Sequence, residues 1–479
     1  MLALRAGTEA GKATMKEKES WDKNIPAGSK LYVINDKVYD LSDWAHRHPG
    51  GSMWFDLSNG RDLTTAIRSY HKDPERLEKI LEKYEVDVAP EDALSKTWNV
   101  PAFILPPGFD PLKDIQRFKW SSDDFLSSLN KKVYSHEMQA RIARADFWFD
   151  IVGASIFIFH IFMMFVGVYY EVLPVWAFVI LFVVTRTSMA SVGHYHCHRK
   201  KDGISDWGDG LFDMQYIGAH MILFDGHSVL HHAYTNSPAD IKRPVFVGIL
   251  RPPRLWRIPI HALHRLGHLI TGMLIHWTRI RKDVKYPVIK QFQFLFIRFL
   301  LIGELIFCLY TGNMLMWSLQ FILTMWVNMF IVRSGHDFEE SETKADLSHG
   351  QDWGVFQIKN SFDINVVGNA YIDCFLTAGL GGHRVHHVLP GQRSGFSNIL
   401  LEQAVRETCE EFNVPWVSAK NFLFNRLPQL FSFYIFTPMQ PSRLEYKGFS
   451  GFLRENFSSE GLKRSIRPIY MGFKGIGAI

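Results

Sequence analysis

PVWAFVILFVVTRTSMASVGHYHCH, residues 174–198, runs a long apolar segment directly into His194, His196 and His198. On a helix, His194 and His198 lie one turn apart on a shared face, and His196 points to the opposite one. Imidazole is the commonest metal-ligating side chain and suits iron, zinc and copper alike. Two further clusters repeat the theme: HSVLHH at His227–His232 and HRVHH at His383–His387. In the first of these, His227 and His231 are expected to share a helical face, with His232 turned toward a neighbouring ion. His383, His386 and His387 are the candidates in the second. Such spacings beside apolar segments argue for a metal centre of more than one ion, at the edge of a bilayer. His196 is expected outside the ligand set, behind the ligands or in solvent.

Three more apolar segments accompany Pro174–Val192, at about Phe147–Tyr169, Phe294–Tyr310 and Asn313–Val332. Each approaches the roughly 20 residues needed to cross a hydrocarbon core. The connectors Tyr170–Pro174 and Thr311–Asn313 are very short, so the segments pair into two helical hairpins. Neither connector carries Lys or Arg, whereas the loop 199–293 is rich in both. The positive-inside rule places that loop in the cytosol, and both termini with it. All three histidine clusters then fall on one side. Leu211–Phe224 and about Ile258–Trp277 are expected to lie in the interface. Arg186 and Arg298 are expected to snorkel from helix ends. Asp150 and Glu304 need partners, because charge within a membrane is costly. His261, His264 and His268 are expected to form the polar face of an interfacial helix, and His220, His276 and His349 have no assigned role.

The chain has 479 residues, 47% hydrophobic and 14% aromatic, with a formal charge of +5. No basic run points to nucleic acid, and the mild positive excess suits an anionic leaflet. The four cysteines contain no CxxC pair, which argues against a disulfide framework or a zinc finger. Residues 1–24 are polar, lack a signal-like apolar stretch and are expected to be disordered. Prolines at 90, 101, 106, 107 and 111 mark 88–118 as a linker. The sequon Asn456-Phe457-Ser458 is expected to be unused in a cytosolic tail.

Within 25–87, Lys30–Leu41 alternates as a strand pair about Asn35-Asp36. The segments VYDLSDWAHRHPGG and GRDLTTAIRSYH resemble cytochrome b5. That resemblance implies a haem b clamped between His48 and His71, with His46 exposed. Two axial histidines leave the iron no open position, so such a site passes single electrons.

The three histidine clusters resemble the histidine boxes of the membrane fatty-acid desaturase and hydroxylase superfamily, over about residues 145–440. DCFLTAGLGG before His383 and Pro390 after it fit that likeness. With the N-terminal module, the chain most resembles b5-fused acyl desaturases and, more narrowly, insect cytochrome b5-related proteins. The implied fold is an α+β cytochrome b5-like domain followed by an all-α membrane domain. That second domain has four transmembrane helices in two hairpins and a cytosolic histidine-rich cap. The implied layout is 25–87 haem domain, 88–118 linker, 119–440 desaturase-like domain and 441–479 tail. His194, His198, His227, His231, His232, His383, His386 and His387 are the implied ligands of two non-haem iron ions. His336 in RSGHDFEE is a ninth, with Asp337, Glu339 and Glu340 as orienting acceptors.

The implied reaction is O2-dependent desaturation of a fatty acyl-CoA or acyl-lipid in the endoplasmic reticulum membrane. Electrons come from NADH-cytochrome b5 reductase through the haem. Zinc cannot change redox state, so the haem favours iron. Two departures stand out. The second cluster is HxxxHH where acyl desaturases commonly have HxxHH, and His383 stands where b5-fused front-end desaturases usually carry glutamine. Hydroxylation of an acyl or sphingoid chain therefore stays open. So does a haem-bearing electron carrier whose second domain has lost turnover.

Overall fold

The computed structural model describes residues 30–58, 60–94, 116–199, 207–216, 227–237, 240, 249–280, 288–336, 351–439 and 445–475. His220, Asp337, Glu339, Glu340 and His349 fall outside the described residues, as does the side chain of His276.

The chain opens on a small sheet. Strands β1 (Leu31–Ile34) and β2 (Lys37–Asp40) pair antiparallel, and β3 (Glu85–Val86) joins the far edge of β2. Asn35 and Asp36 turn the hairpin with φ of 52° and 60°. A two-residue hairpin turn requires that left-handed geometry, and Asn and Asp tolerate it best among residues with a side chain. Helices Thr64–Tyr70 and Pro74–Leu81 pack with the sheet around Tyr32, Ile34, Phe55 and Leu63. Asp73 caps the second of these by accepting from the Arg76 amide.

The rest of the described chain is almost wholly helical. Four stretches are long and apolar enough to cross a membrane: His136–Gly167, Val175–Cys197, Gln291–Tyr310 and Met314–Ser334. They overlap the four segments expected from sequence. The first begins earlier, since polar His136–Asp146 continues the same helix under a Ser135 cap. Many large side chains on the first and third are exposed, among them Phe159, Phe162, Phe296, Phe299 and Leu309. That much apolar surface would be unfavourable in water and suits lipid. The second and fourth are more enclosed, and all four carry buried polar groups, among them His160, Arg186, Glu304 and Gln320.

Charge inside this bundle is paired. Arg186 is fully buried and does not snorkel; it forms an ion pair with Glu304. It also donates to Gln320 Oε1 at 2.9 Å and to the Met214 carbonyl at 2.9 Å. Glu304 reaches His160 Nε2 at 3.3 Å. Arg298 likewise turns inward, donating to the carbonyls of His268 and Ile270. Both arginines sit too far inside the packed bundle to reach water, so backbone and carboxylate oxygens take its place.

Two expected interfacial segments differ from expectation. Asp209–Gln215 is a short 3₁₀ helix buried along its whole length against the second apolar helix. Gly193 makes that approach possible, since a Cβ there would sit 2.1 Å from the Phe212 amide nitrogen. In Arg257–Gly267 and the turn after it, His261, His264 and His268 face inward rather than forming a solvated face. His261 Nε2 donates to the Ile249 carbonyl at 3.1 Å. The C-terminal helices Gly448–Phe457 and Ser459–Phe473 pack back onto this region. Asn456 of the sequon is buried there.

The buried pair yields a first prediction. Glu304→Ala leaves Arg186 charged and unpaired, and should cost about 3–5 kcal/mol, read as a lower unfolding temperature in detergent. The double variant Arg186→Met with Glu304→Leu should recover most of that loss. A double variant no better than the single one would refute the pairing argument.

Candidate metal centre

The histidines converge. Ligand-capable atoms of His194, His198, His227, His232 and His386 all lie within 4.8 Å of one another, and those of His231, His336 and His387 form a second such group. His383 stands beside the second group, its ring centre 4.7 Å from that of His336 and 4.4 Å from that of His387. The His232 and His387 rings stack at 4.3 Å and join the two groups. All nine candidate histidines from sequence therefore meet in one place. His196 does not. Its Nε2 lies 3.0 Å from Asp150 Oδ1 and its Nδ1 accepts from the Gly208 amide. Its ring supports the helix end from behind and is shut off from solvent. Arg199 completes the support by clasping Asp150 with two N–H groups at 2.7 and 2.8 Å.

The division among the second cluster departs from expectation. His227 shares a group with His232, and His231 is the ring that turns to the other. The cause is local. His227–His231 is a π-helical turn, closed by the His232 amide donating to the His227 carbonyl at 3.1 Å. An i→i+5 turn is wider than an α turn, so position i+5 rather than i+4 returns beneath i. The extra residue of HxxxHH is absorbed there.

Six of the rings are held through Nδ1. His194 Nδ1 lies 3.2 Å from the Ala378 carbonyl, and His383 Nδ1 lies 2.9 Å from that of Gly335. His336 Nδ1 lies 3.1 Å from the Asn360 carbonyl. Asp240 Oδ2 sits 2.9 Å from His231 Nδ1, and Gln357 Oε1 sits 3.0 Å from His387 Nδ1. His198 Nδ1 meets the Tyr70 hydroxyl at 3.0 Å. Outer acceptors of this kind fix the tautomer and leave Nε2 for a ligand. Sequence reasoning missed Asp240, Gln357 and Tyr70. Asp240 follows the second cluster closely and could have been found; Gln357 and Tyr70 arrive from elsewhere in the chain with no spacing signal. Gly335 permits a close approach, since a Cβ there would meet His383 Cε1 at 2.6 Å.

Metal fits this arrangement. His194 Nε2 lies 3.1 Å from both His227 Nε2 and His386 Nε2, and His227 Nε2 lies 3.3 Å from His232 Nε2. Burial and the surrounding imidazoles hold His232 and His387 well below the ordinary histidine range, so both rings are neutral. His232 Nδ1 and His387 Nε2 are buried with no hydrogen-bond partner among the described residues. A cation placed among these crowded neutral ring nitrogens would use their lone pairs together. Nitrogen donors alone suit iron, zinc or copper.

A second cavity, of about 650 Å³, adjoins the first group. His48 and His71 line it with their ring centres 5.9 Å apart, amid Trp44, Phe55, Leu63 and Ile67. His48 is aimed by a tight turn in which the Gly51 amide donates to the His48 carbonyl at 3.0 Å, with Gly51 at φ +96°. His71 ends helix Thr64–Tyr70, and its Nδ1 lies 2.9 Å from the Ile67 carbonyl. Two imidazoles facing each other across an apolar slot suit a planar macrocycle with axial iron. His46 is exposed, as expected. One wall comes from the second domain: His198, Ser228, Val229 and Gly391.

Comparison with known proteins agrees with both sites. The profile of the Cytochrome b5-like Heme/Steroid binding domain matches residues 16–89, and that of Fatty acid desaturase matches residues 170–420. The chain is similar to Delta(5) fatty acid desaturase A of Dictyostelium discoideum, at 23% identity over 81% of this chain and 87% of that protein. It is also similar to the Cytochrome b5-related protein of Drosophila melanogaster, at 22% identity over 80% and 83%. Fatty acid desaturase 3 of Homo sapiens is 41% identical over a short stretch, 14% of this chain and 15% of that one. No solved structure matches. With the desaturase profile spanning all three histidine clusters and the haem-type cavity ahead of it, the chain belongs to the fatty acid desaturase family and is a desaturase-like oxidoreductase with an N-terminal cytochrome b5-like domain.

Proposed function

We propose that this protein introduces a double bond into a fatty acyl chain, using O2 and electrons relayed through its own haem. The observation that carries the reading is the convergence of nine histidines in two adjacent groups beside the His48–His71 cavity. His48 and His71 would hold haem b. His194, His198, His227, His232 and His386 would hold one non-haem iron, and His231, His336, His387 and His383 the other. When bound, these groups supply one-electron delivery and the oxidising power that an unactivated methylene demands. The chain supplies the setting. Burial and neighbouring imidazoles keep His232 and His387 neutral, so no proton competes for their lone pairs. Asp240, Gln357 and the backbone carbonyls lock ring orientation. Packing of all nine rings away from solvent excludes water from the site.

Several finer assignments follow from the same reading. The four apolar helices form two transmembrane hairpins, with the histidine-rich region as a cap on the cytosolic side and both termini there. The layout is 25–87 haem domain, 88–118 linker, 119–440 desaturase domain and 441–479 tail. NADH-cytochrome b5 reductase is the electron source, an acyl-CoA or acyl-lipid the substrate, and the endoplasmic reticulum the membrane.

The decisive experiment is expression in a host of defined lipid composition, followed by lipid profiling. A new double bond is the expected product. A hydroxylated acyl or sphingoid chain would assign the same site to hydroxylation, and haem iron alone in the purified protein would reduce the chain to an electron carrier. His231→Ala and His386→Ala should each remove non-haem iron while leaving the haem Soret band intact. Unchanged iron in both variants would contradict the ligand assignment. His48→Ala should abolish the haem spectrum without impairing membrane insertion. Reporters fused at either end should lie in the cytosol; a lumenal C-terminus would break the topology.

A further inference from the structure

Tyr70 stands between the two sites. Its backbone immediately precedes His71, and its ring lines the haem-type cavity. Its hydroxyl lies 3.0 Å from Nδ1 of His198, in the first histidine group, and the two rings stack with centres 6.5 Å apart. Ser228 Oγ makes a longer approach of 3.4 Å to the same nitrogen. The Tyr70 contact spans 128 positions of sequence and joins the haem domain to the end of the second apolar helix. Every other ring held by an outer oxygen in this centre takes it from the desaturase domain itself: Ala378, Gly335, Asn360, Asp240 and Gln357. Among these contacts between described residues, His198 is the ring that draws on the other domain.

We propose that Tyr70 is a positioning residue for the non-haem site: the haem domain supplies, through this phenol, the hydrogen bond that orients His198 toward its metal. With Nε2 given to a metal, Nδ1 carries the ring's proton and donates to the phenol oxygen. Val229, two residues from His227, reinforces the junction by packing in one cluster with Tyr32, Phe55 and Leu63 of the haem domain. Docking of the haem domain and metal binding are therefore linked, and linkage is reciprocal. Each stabilises the other.

The proposal rests on His198 being a metal ligand, and its test separates the two ideas. Tyr70→Phe, made in the full-length protein, deletes one oxygen and keeps the ring. Its affinity for ferrous iron, measured by chelator competition, should fall roughly 10–100-fold, the usual effect of losing an outer-shell partner. Haem content and the Soret maximum should match the wild type, which also reports that the variant is folded. Lys72→Met is the companion. Lys72 lines the edge of the haem-type cavity and reaches the docking surface, with Nζ 3.9 Å from the centre of the Tyr134 ring and 3.3 Å from Gln139 Oε1. Iron affinity should change far less in Lys72→Met than in Tyr70→Phe. Wild-type iron affinity in Tyr70→Phe overturns the proposal, as does an equal loss in both variants. If the wild-type protein holds no non-haem iron, the functional reading fails first.

Discussion

Nine imidazoles buried together bring their ring nitrogens within reach of one another. The Nε2 atoms of His194, His227, His232 and His386 approach to 3.1–3.3 Å. A cation among them would take up those lone pairs together. Much of the surrounding architecture serves this convergence. The second apolar helix delivers two rings, a π turn delivers three, and His383–Val388 and the end of the fourth apolar helix deliver the rest. Glycines at 193 and 335 let backbone come close enough for the rings to meet.

The membrane-directed half of the chain solves a different problem. Its first and third helices present phenylalanine and leucine outward, while all four helices contribute to one buried, connected set of His160, Arg186, Glu304 and Gln320. A lone charge at that depth would be prohibitive; a charge with every donor answered is tolerable. The same accounting explains why Arg298 and the histidines of Arg257–Gly267 turn inward to carbonyl oxygens.

The histidines that converge were legible in the sequence because their spacing beside an apolar helix survives any detail of packing. The strand pair and the four long helices were legible from alternation and length. The assignment of His231 and His232 to their groups was not, since an α-helical period cannot anticipate a π turn. Arg186 and Arg298 were misplaced because snorkelling is the rule for an isolated helix, and here partners on other helices intervene. Tyr70 and Gln357 carry no motif at all. Their roles exist only once distant parts of the chain have been brought together.

Tyr70 and Val229 also bear on supply. A redox protein that visits its acceptor by diffusion must compete for it and leave again, at a rate set by its abundance and by salt. A donor carried on the same polypeptide meets its acceptor at an effective concentration of about millimolar. In the proposed reaction, the final electron transfer would then be indifferent to how much free carrier the cell makes, and the reductase encounter alone would set its throughput.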